Sequence, residues 1–237
     1  MSHEGAHHHH HEGAHHHEGA HHHEGAHHHE GAHEGAHHHH EGAHHHHHSH
    51  DNTGAKQPHP CSVACAARLD DPSRESFAPT PRIIELLNVQ HGSRVLDFGA
   101  GTGRYSIPIA QAHPDATVVA YDVQPGFLAI IRERVQAAAV SNIEVVDKPT
   151  GVFERVLAIN VLHEVGDIDL VRMRAAVAPG GFALVIDFNA DIDYPDGPPK
   201  GHAHTIDEAV SRLKAAGFQL EHRPDAAFPY HFILVAS

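Results

Sequence analysis

Val95-Leu96-Asp97-Phe98-Gly99-Ala100-Gly101-Thr102-Gly103 is the stretch that decides how this chain is read. Arg94 to Phe98 reads as a buried strand that runs into alternating glycines, and a helix is expected from about Tyr105 to Ala112. Glycine lets the backbone turn tightly and lets a ligand approach the main chain. At the carboxyl ends of parallel strands such a turn marks the ligand crevice. A dinucleotide fingerprint requires a small residue three positions after its second glycine. Arg104 stands there, too bulky for close helix–strand packing, so a nicotinamide cofactor is disfavoured.

Working outward, strands alternate with helices. Further strands are expected at Ala116–Tyr121, Ile143–Val146, Arg155–Asn160, Phe182–Phe188, Phe218–His222 and Tyr230–Val235. Helices are expected at Gly126–Ala139, Ile168–Val177 and Thr205–Ala216, the last capped by Thr205 and stopped by Gly217. Before the glycine stretch, Cys61–Leu69 reads as a short helix broken by Asp70-Asp71-Pro72. A second helix follows Pro81, with Ile83, Ile84, Leu86 and Leu87 as its apolar face. This alternation implies an α/β, Rossmann-like three-layer sandwich with a mostly parallel sheet. The last two strands are too close for an intervening helix and imply a hairpin, with one antiparallel strand near the C-terminus.

Asp97 lies two positions before the first glycine, and Asp122 ends the next strand about twenty residues on, a spacing that suits ribose hydroxyls. With Asn160-Val161-Leu162-His163-Glu164-Val165 and Ala178-Pro179-Gly180-Gly181-Phe182, these residues make the chain resemble the class I S-adenosylmethionine-dependent methyltransferases from about Pro81 onward. The resemblance implies that Gly99, Ala100, Gly101 and Gly103 shape the turn around the methionine part of S-adenosylmethionine. Asp97 would orient the loop or the cofactor amine, Asp122 would accept the ribose hydroxyls, and Val123 would flank the adenine. Asp147 would face the adenine amine, and Asn160 would lie near the methyl group and the substrate. The acceptor would be a small molecule. Two departures are visible: the stretch Asp147–Phe153 is too short for a helix, and Glu154 stands where the family more often has Asp.

Methyl transfer needs a general base only when the nucleophile carries a proton at working pH. Asn160 and His163 are the catalytic candidates, His163 being either a base or a structural part of its turn. Asp187 and Asn189 either line the substrate side or cap loops. Cys61 and Cys65, four apart on one helical face, are either ordinary helix cysteines or thiols for a soft metal or a thiol or metalloid substrate. The segment from His59 to Pro72 is also similar to the N-terminal segment of some archaeal and anaerobic bacterial methyltransferases of this class.

Residues 1–50 form a different region. Seven Glu-Gly-Ala units at irregular spacing alternate with histidine runs, and only eight of the 34 histidines lie beyond residue 50. The block has no Val, Ile, Leu or Phe and so reads as disordered. Its largest clusters are His7, His8, His9, His10 and His11; His37, His38, His39 and His40; and His44, His45, His46, His47 and His48. Together they suit nickel, zinc, copper or cobalt ions. The domains are then a tail at 1–50, a linker at 51–60 and a methyltransferase-like domain at 61–237, with cap helices at 61–90. A metal-binding, storage or sensing protein on the same scaffold is the competing reading.

The net charge of −14 is shared between tail and body, leaving no electrostatic footprint for nucleic acid. Two cysteines imply no disulfide framework. No secretory or membrane-spanning run is present, so no membrane partner is expected and a reducing, cytoplasmic setting is the default.

Overall fold

A computed structural model of the chain describes residues 60–237. The expectations for the histidine-rich tail, and for all of the linker but Pro60, lie outside the described residues. The first elements are a 3-10 turn at Val63–Cys65, helix α1 at Ala66–Leu69 and a second 3-10 turn at Pro72–Ser76. The expected helix over Cys61–Leu69 is therefore two short pieces, and Cys61 precedes both. Helix α2, Thr80–Leu87, buries Ile83 and Leu87 and ends at Asn88 in the left-handed region, φ 47°.

Seven strands form one sheet: β1 (Arg94–Phe98), β2 (Thr117–Tyr121), β3 (Ile143–Val146), β4 (Phe153–Ile159), β5 (Val177–Phe188), β6 (Leu220–His222) and β7 (His231–Ala236). Their order is β3-β2-β1-β4-β5-β7-β6. Pairing is parallel from β3 through β5, and β7 runs antiparallel to both its neighbours, as the hairpin reading required. Helices α3 (Ser106–Ala112), α4 (Pro125–Ala137), α5 (Asp167–Ala176) and α6 (Ile206–Ala215) make the crossovers. Apolar residues form a core on each side of the sheet. One centres on Val95, Ile109, Leu157 and Leu184, and the other on Leu96, Val156, Leu170 and Leu213.

Local chemistry explains the boundaries. At the start of α6, Glu208 N–H donates to Thr205 Oγ1 at 3.2 Å and Thr205 N–H donates to Glu208 Oε2 at 2.9 Å. This reciprocal pair satisfies amides that the helix cannot. No helix fits between β3 and β4. Strand β5 begins five residues earlier than expected, because Pro179-Gly180-Gly181 is carried inside it by a register shift against β4. A side chain at Gly181 would meet the Glu154 carbonyl at 2.7 Å, so only glycine keeps this strand closely paired.

Strand order reverses between β1 and β4, because the chain winds from β1 toward β3 and then returns to the opposite side of β1. A crevice outside the carboxyl ends of the strands is expected at that switch point.

Candidate active site

A cleft occupies that position, lined by Gly99, Ala100, Gly101 and Thr102 of the glycine turn. Gly99 and Gly101 have φ of 79° and 54°, the left-handed region that glycine enters without strain. Gly103 does not line the cleft. It packs instead on α4, where an added Cβ would stand 3.3 Å from Ile131.

Asp122 lines the cleft at the end of β2 and is buried. Its Oδ2 accepts the Gly101 N–H and its Oδ1 accepts the Gln124 N–H, both at 2.9 Å. The carboxylate therefore braces the glycine turn, and each oxygen retains a lone pair for a ligand hydroxyl. Burial raises its pKa, and the backbone N–H groups of Gln124, Gly101 and Val123 offset part of that rise. Val123 beside it is 65% exposed and also lines the cleft, with Tyr121, Gln124 and Phe127.

Asp97 is not among the lining residues. It is buried beneath the turn, accepts the Ser106 hydroxyl at 2.5 Å, and has its pKa pushed up to about 6 by burial. Its position fits the loop-orienting role rather than contact with a cofactor amine. Asp147 is exposed and lies outside the cleft lining.

Asn160 follows β4, lines the cleft and holds a left-handed backbone, φ 54°. Its Oδ1 lies 3.1 Å from His231 Nε2. His163 does not line the cleft. The 3-10 turn Leu162–Glu164 directs its ring inward, with Nδ1 2.9 Å from Asp187 Oδ1. Asp187 also accepts the Leu162 N–H at 2.7 Å and the Phe188 N–H at 2.8 Å. Burial opposes the charge on His163, but the Asp187 charge and hydrogen bond overcome it and leave the pKa raised. Asp187 is lowered in turn: burial alone would raise it, and the His163 contact and the N–H bond prevail. Asn189 is a loop cap that accepts the Asp191 N–H at 3.1 Å.

The same 3-10 turn that points His163 inward points Glu164 into the cleft. Burial raises the Glu164 pKa, and His163 Nε2 lies 3.7 Å from its carboxylate. The sequence reading quoted Glu164 but gave it no role, because strand-end position alone does not say which of two neighbours a 3-10 turn exposes. It also missed Arg74 and Tyr105, which line the cleft from the N-terminal segment and the start of α3.

Cys61 lines the cleft rim and is bonded to Cys65, with Cα atoms 6.1 Å apart, so neither is a free thiol in this structure. This corrects the expectation of unpaired helix cysteines. Because Cys61 precedes the helical turns, the two do not share one helix face. The segment they belong to is held over the glycine turn. Arg134 grips both oxygens of Asp70 at 2.9 and 2.6 Å, and Asp70 accepts the Thr102 hydroxyl at 2.7 Å. Leu69 covers Gly101. Among the described residues no cluster of three or more metal-ligating side chains occurs, and the tail histidines lie outside them. No helix among the described residues is long and apolar enough to cross a membrane.

Comparison with known proteins places this site in context. Residues 96–183 match the family model described as a methyltransferase domain. An uncharacterized protein of Synechococcus is 33% identical over 99 residues, 37% of this chain and 24% of that protein. A demethylmenaquinone methyltransferase of Thermus thermophilus is 27% identical over 128 residues, 51% of this chain and 55% of that protein. The chain thus spans about a quarter and about half of these two relatives. A SAM-dependent methyltransferase structure from Aquifex aeolicus superposes with a TM-score of 0.68 at 22% identity, covering 75% of this chain and 98% of that one. The fold is the Rossmann-like methyltransferase fold.

Proposed function

We propose that the cleft binds S-adenosylmethionine and directs its methyl group to a small-molecule acceptor. The observation that carries this reading is the joint placement of the glycine turn, Asp122 and Asn160 around one cleft at the β1–β4 switch point. The residues present fit the cofactor. Gly99 and Gly101 leave room for the methionine part along the turn, Asp122 has lone pairs free for the ribose hydroxyls, and Val123 offers an apolar surface to the adenine. When bound, the cofactor supplies an activated methyl group, so the protein's contribution is chiefly positioning.

In this reading Asn160, held by His231, orients groups near the methyl transfer, and Glu164 accepts a proton from an acceptor that carries one. His163 stands behind Glu164, fixed by Asp187, and stabilises its charge. This makes His163 a positioning residue rather than the group that meets the acceptor. Cys61 lies at the rim, and an external thiol that reduces the Cys61–Cys65 bond would free a thiolate there suited to a soft acceptor, a thiol or a metalloid. The acidic body argues against nucleic acid as acceptor and favours a small molecule.

Mass spectrometry of ligands that co-purify with the full chain tests the proposal. S-adenosylmethionine or its demethylated product is expected. A different nucleotide cofactor in the cleft would overturn it. The histidine content of the tail favours a second, compatible role in holding divalent metal ions. Elemental analysis of the full chain and of a chain lacking residues 1–50 decides that point: equal metal content in both contradicts it.

A further inference from the structure

Arg74 is a buried cation with no ion-pair partner among the described residues. It is 6% exposed, lines the cleft, and has no carboxylate within ion-pair distance among the described residues. Its Nε is buried with no hydrogen-bond partner. Its guanidinium carbon lies 5.7 Å from the centre of the Phe77 ring. Burying an unpaired guanidinium is costly, and such groups are found paired or ligated. The other cleft arginine, Arg104, shares a buried Nε without a partner but differs in charge pairing: it meets Glu75 at 2.7 Å and donates to the Leu69 and Asp71 carbonyls.

Three further polar groups are left open in the same region. Asn160 Nδ2 and His231 Nδ1 are buried without partners. The Tyr105 hydroxyl is buried without a partner of good geometry, although the Arg104 guanidinium lies within reach of a weak hydrogen bond to it. Arg74, Tyr105 and Asn160 all line the cleft, and His231, outside the lining, reaches it through Asn160. A guanidinium, a phenol and an amide N–H are all donors, and together they match an oxyanion rather than a cation.

Topology separates Asn160 from the nucleoside side of the cleft. Asp122 and Val123, proposed for the ribose and adenine, lie at the end of β2. His231 opens β7 opposite Phe188 at the end of β5, and Asn160 follows β4. Asn160, with the His231 that holds it, therefore lies across the glycine turn from the nucleoside side, toward the methyl group and the entry of the acceptor. We propose that Arg74, with Tyr105 and Asn160, forms a subsite for a carboxylate on the methyl acceptor. The acceptor is thus a small acid whose carboxylate is anchored while its nucleophilic atom faces the methyl group. This inference rests on the methyl-transfer reading and adds the charge of the substrate.

The test uses the full chain and small probes that fit a subsite of any shape. Melting temperature is followed with sodium acetate and with acetamide at matched ionic strength. In wild type, acetate at about tenfold its Kd raises the melting temperature by about 3–6 °C and acetamide does not. Arg74→Met loses the acetate response, and Arg74→Lys keeps a weaker one because it retains the charge without the planar fork. Equal responses to acetate and acetamide in wild type overturn the subsite, with no variant needed. So does an undiminished acetate response in a folded Arg74→Met. Calorimetry with S-adenosylhomocysteine and with methylthioadenosine, which lacks the amino-acid carboxylate, separates the two sources of that group. Arg74→Met is expected to bind both ligands within about threefold of wild type. Selective loss of S-adenosylhomocysteine by about tenfold or more assigns Arg74 to the cofactor's carboxylate and overturns the acceptor subsite. Failure of wild type to bind S-adenosylhomocysteine contradicts the methyl-transfer reading itself.

Discussion

Asp122 holds the amide of Gly101: the N–H donates to Oδ2 at 2.9 Å and ties the end of β2 to the turn that follows β1. The other oxygen accepts Gln124 N–H at the same distance. An amide at this position must therefore aim an NH2 at one of two N–H groups. Asp122→Asn and Asp122→Ala should both weaken S-adenosylhomocysteine binding by about tenfold to a hundredfold, measured by calorimetry. An Asp122→Asn chain that binds like wild type would remove both the brace and the ribose role.

Gly99 is expected to be the least replaceable residue of the turn. Its φ is 79°, and an added Cβ would lie 2.6 Å from Val161 Cγ2, in the buried start of the segment that follows Asn160. Gly99→Ala should cost about 1–3 kcal/mol of stability in urea unfolding, from backbone strain and crowding. A loss below the resolution of that experiment would mean that the turn relaxes freely.

His163 has a raised pKa in the folded chain: burial opposes its charge, and the Asp187 charge and hydrogen bond together with the Glu164 charge overcome it. The folded protein holds a proton that the unfolded chain releases. The contribution to stability is complete below the ordinary histidine value of about 6.5 and is lost as pH rises through the folded value. The stability gap between wild type and His163→Gln should therefore be larger at about pH 6 than at about pH 9. A gap that widens with pH would contradict the ion pair.

His231 behaves in the opposite sense. Burial holds its pKa down at about 4, with Arg74 adding repulsion and Asp187 only partly compensating. Below pH 6.5 the unfolded chain takes up a proton that the folded chain refuses, so stability falls as pH drops toward the folded value. Relative to His231→Phe, wild type should lose about 2 kcal/mol between about pH 7 and pH 5 in urea unfolding. A pH-independent difference would show that folding leaves the pKa of the ring unshifted, and contradict its burial as a neutral group.

Much of this fold was legible in the sequence, because period and punctuation agreed. Arg94–Phe98 and Ile143–Val146 form as expected, and Thr205 with Gly217 bounds α6. The boundary of β5 was not legible, since a strand that passes through Pro179-Gly180-Gly181 depends on the Glu154 carbonyl across the pairing. Asp122, Val123 and Asn160 were legible as strand-end residues, and all three line the cleft. Asp97 was legible as a motif residue, but its burial under Ser106 was not. Glu164 and Arg74 could not be found from spacing. One depends on the sense of a single 3-10 turn, and the other on a segment that reaches the cleft only after tertiary folding. The Cys61–Cys65 bond depends on the chain leaving helical geometry before Val63.

The central claim is that this cleft holds S-adenosylmethionine, and calorimetric titration of the full chain with S-adenosylhomocysteine tests it most directly. The account predicts one site per chain that is lost or strongly weakened in Asp122→Ala. Absence of binding, or binding unaffected by Asp122→Ala, would contradict it.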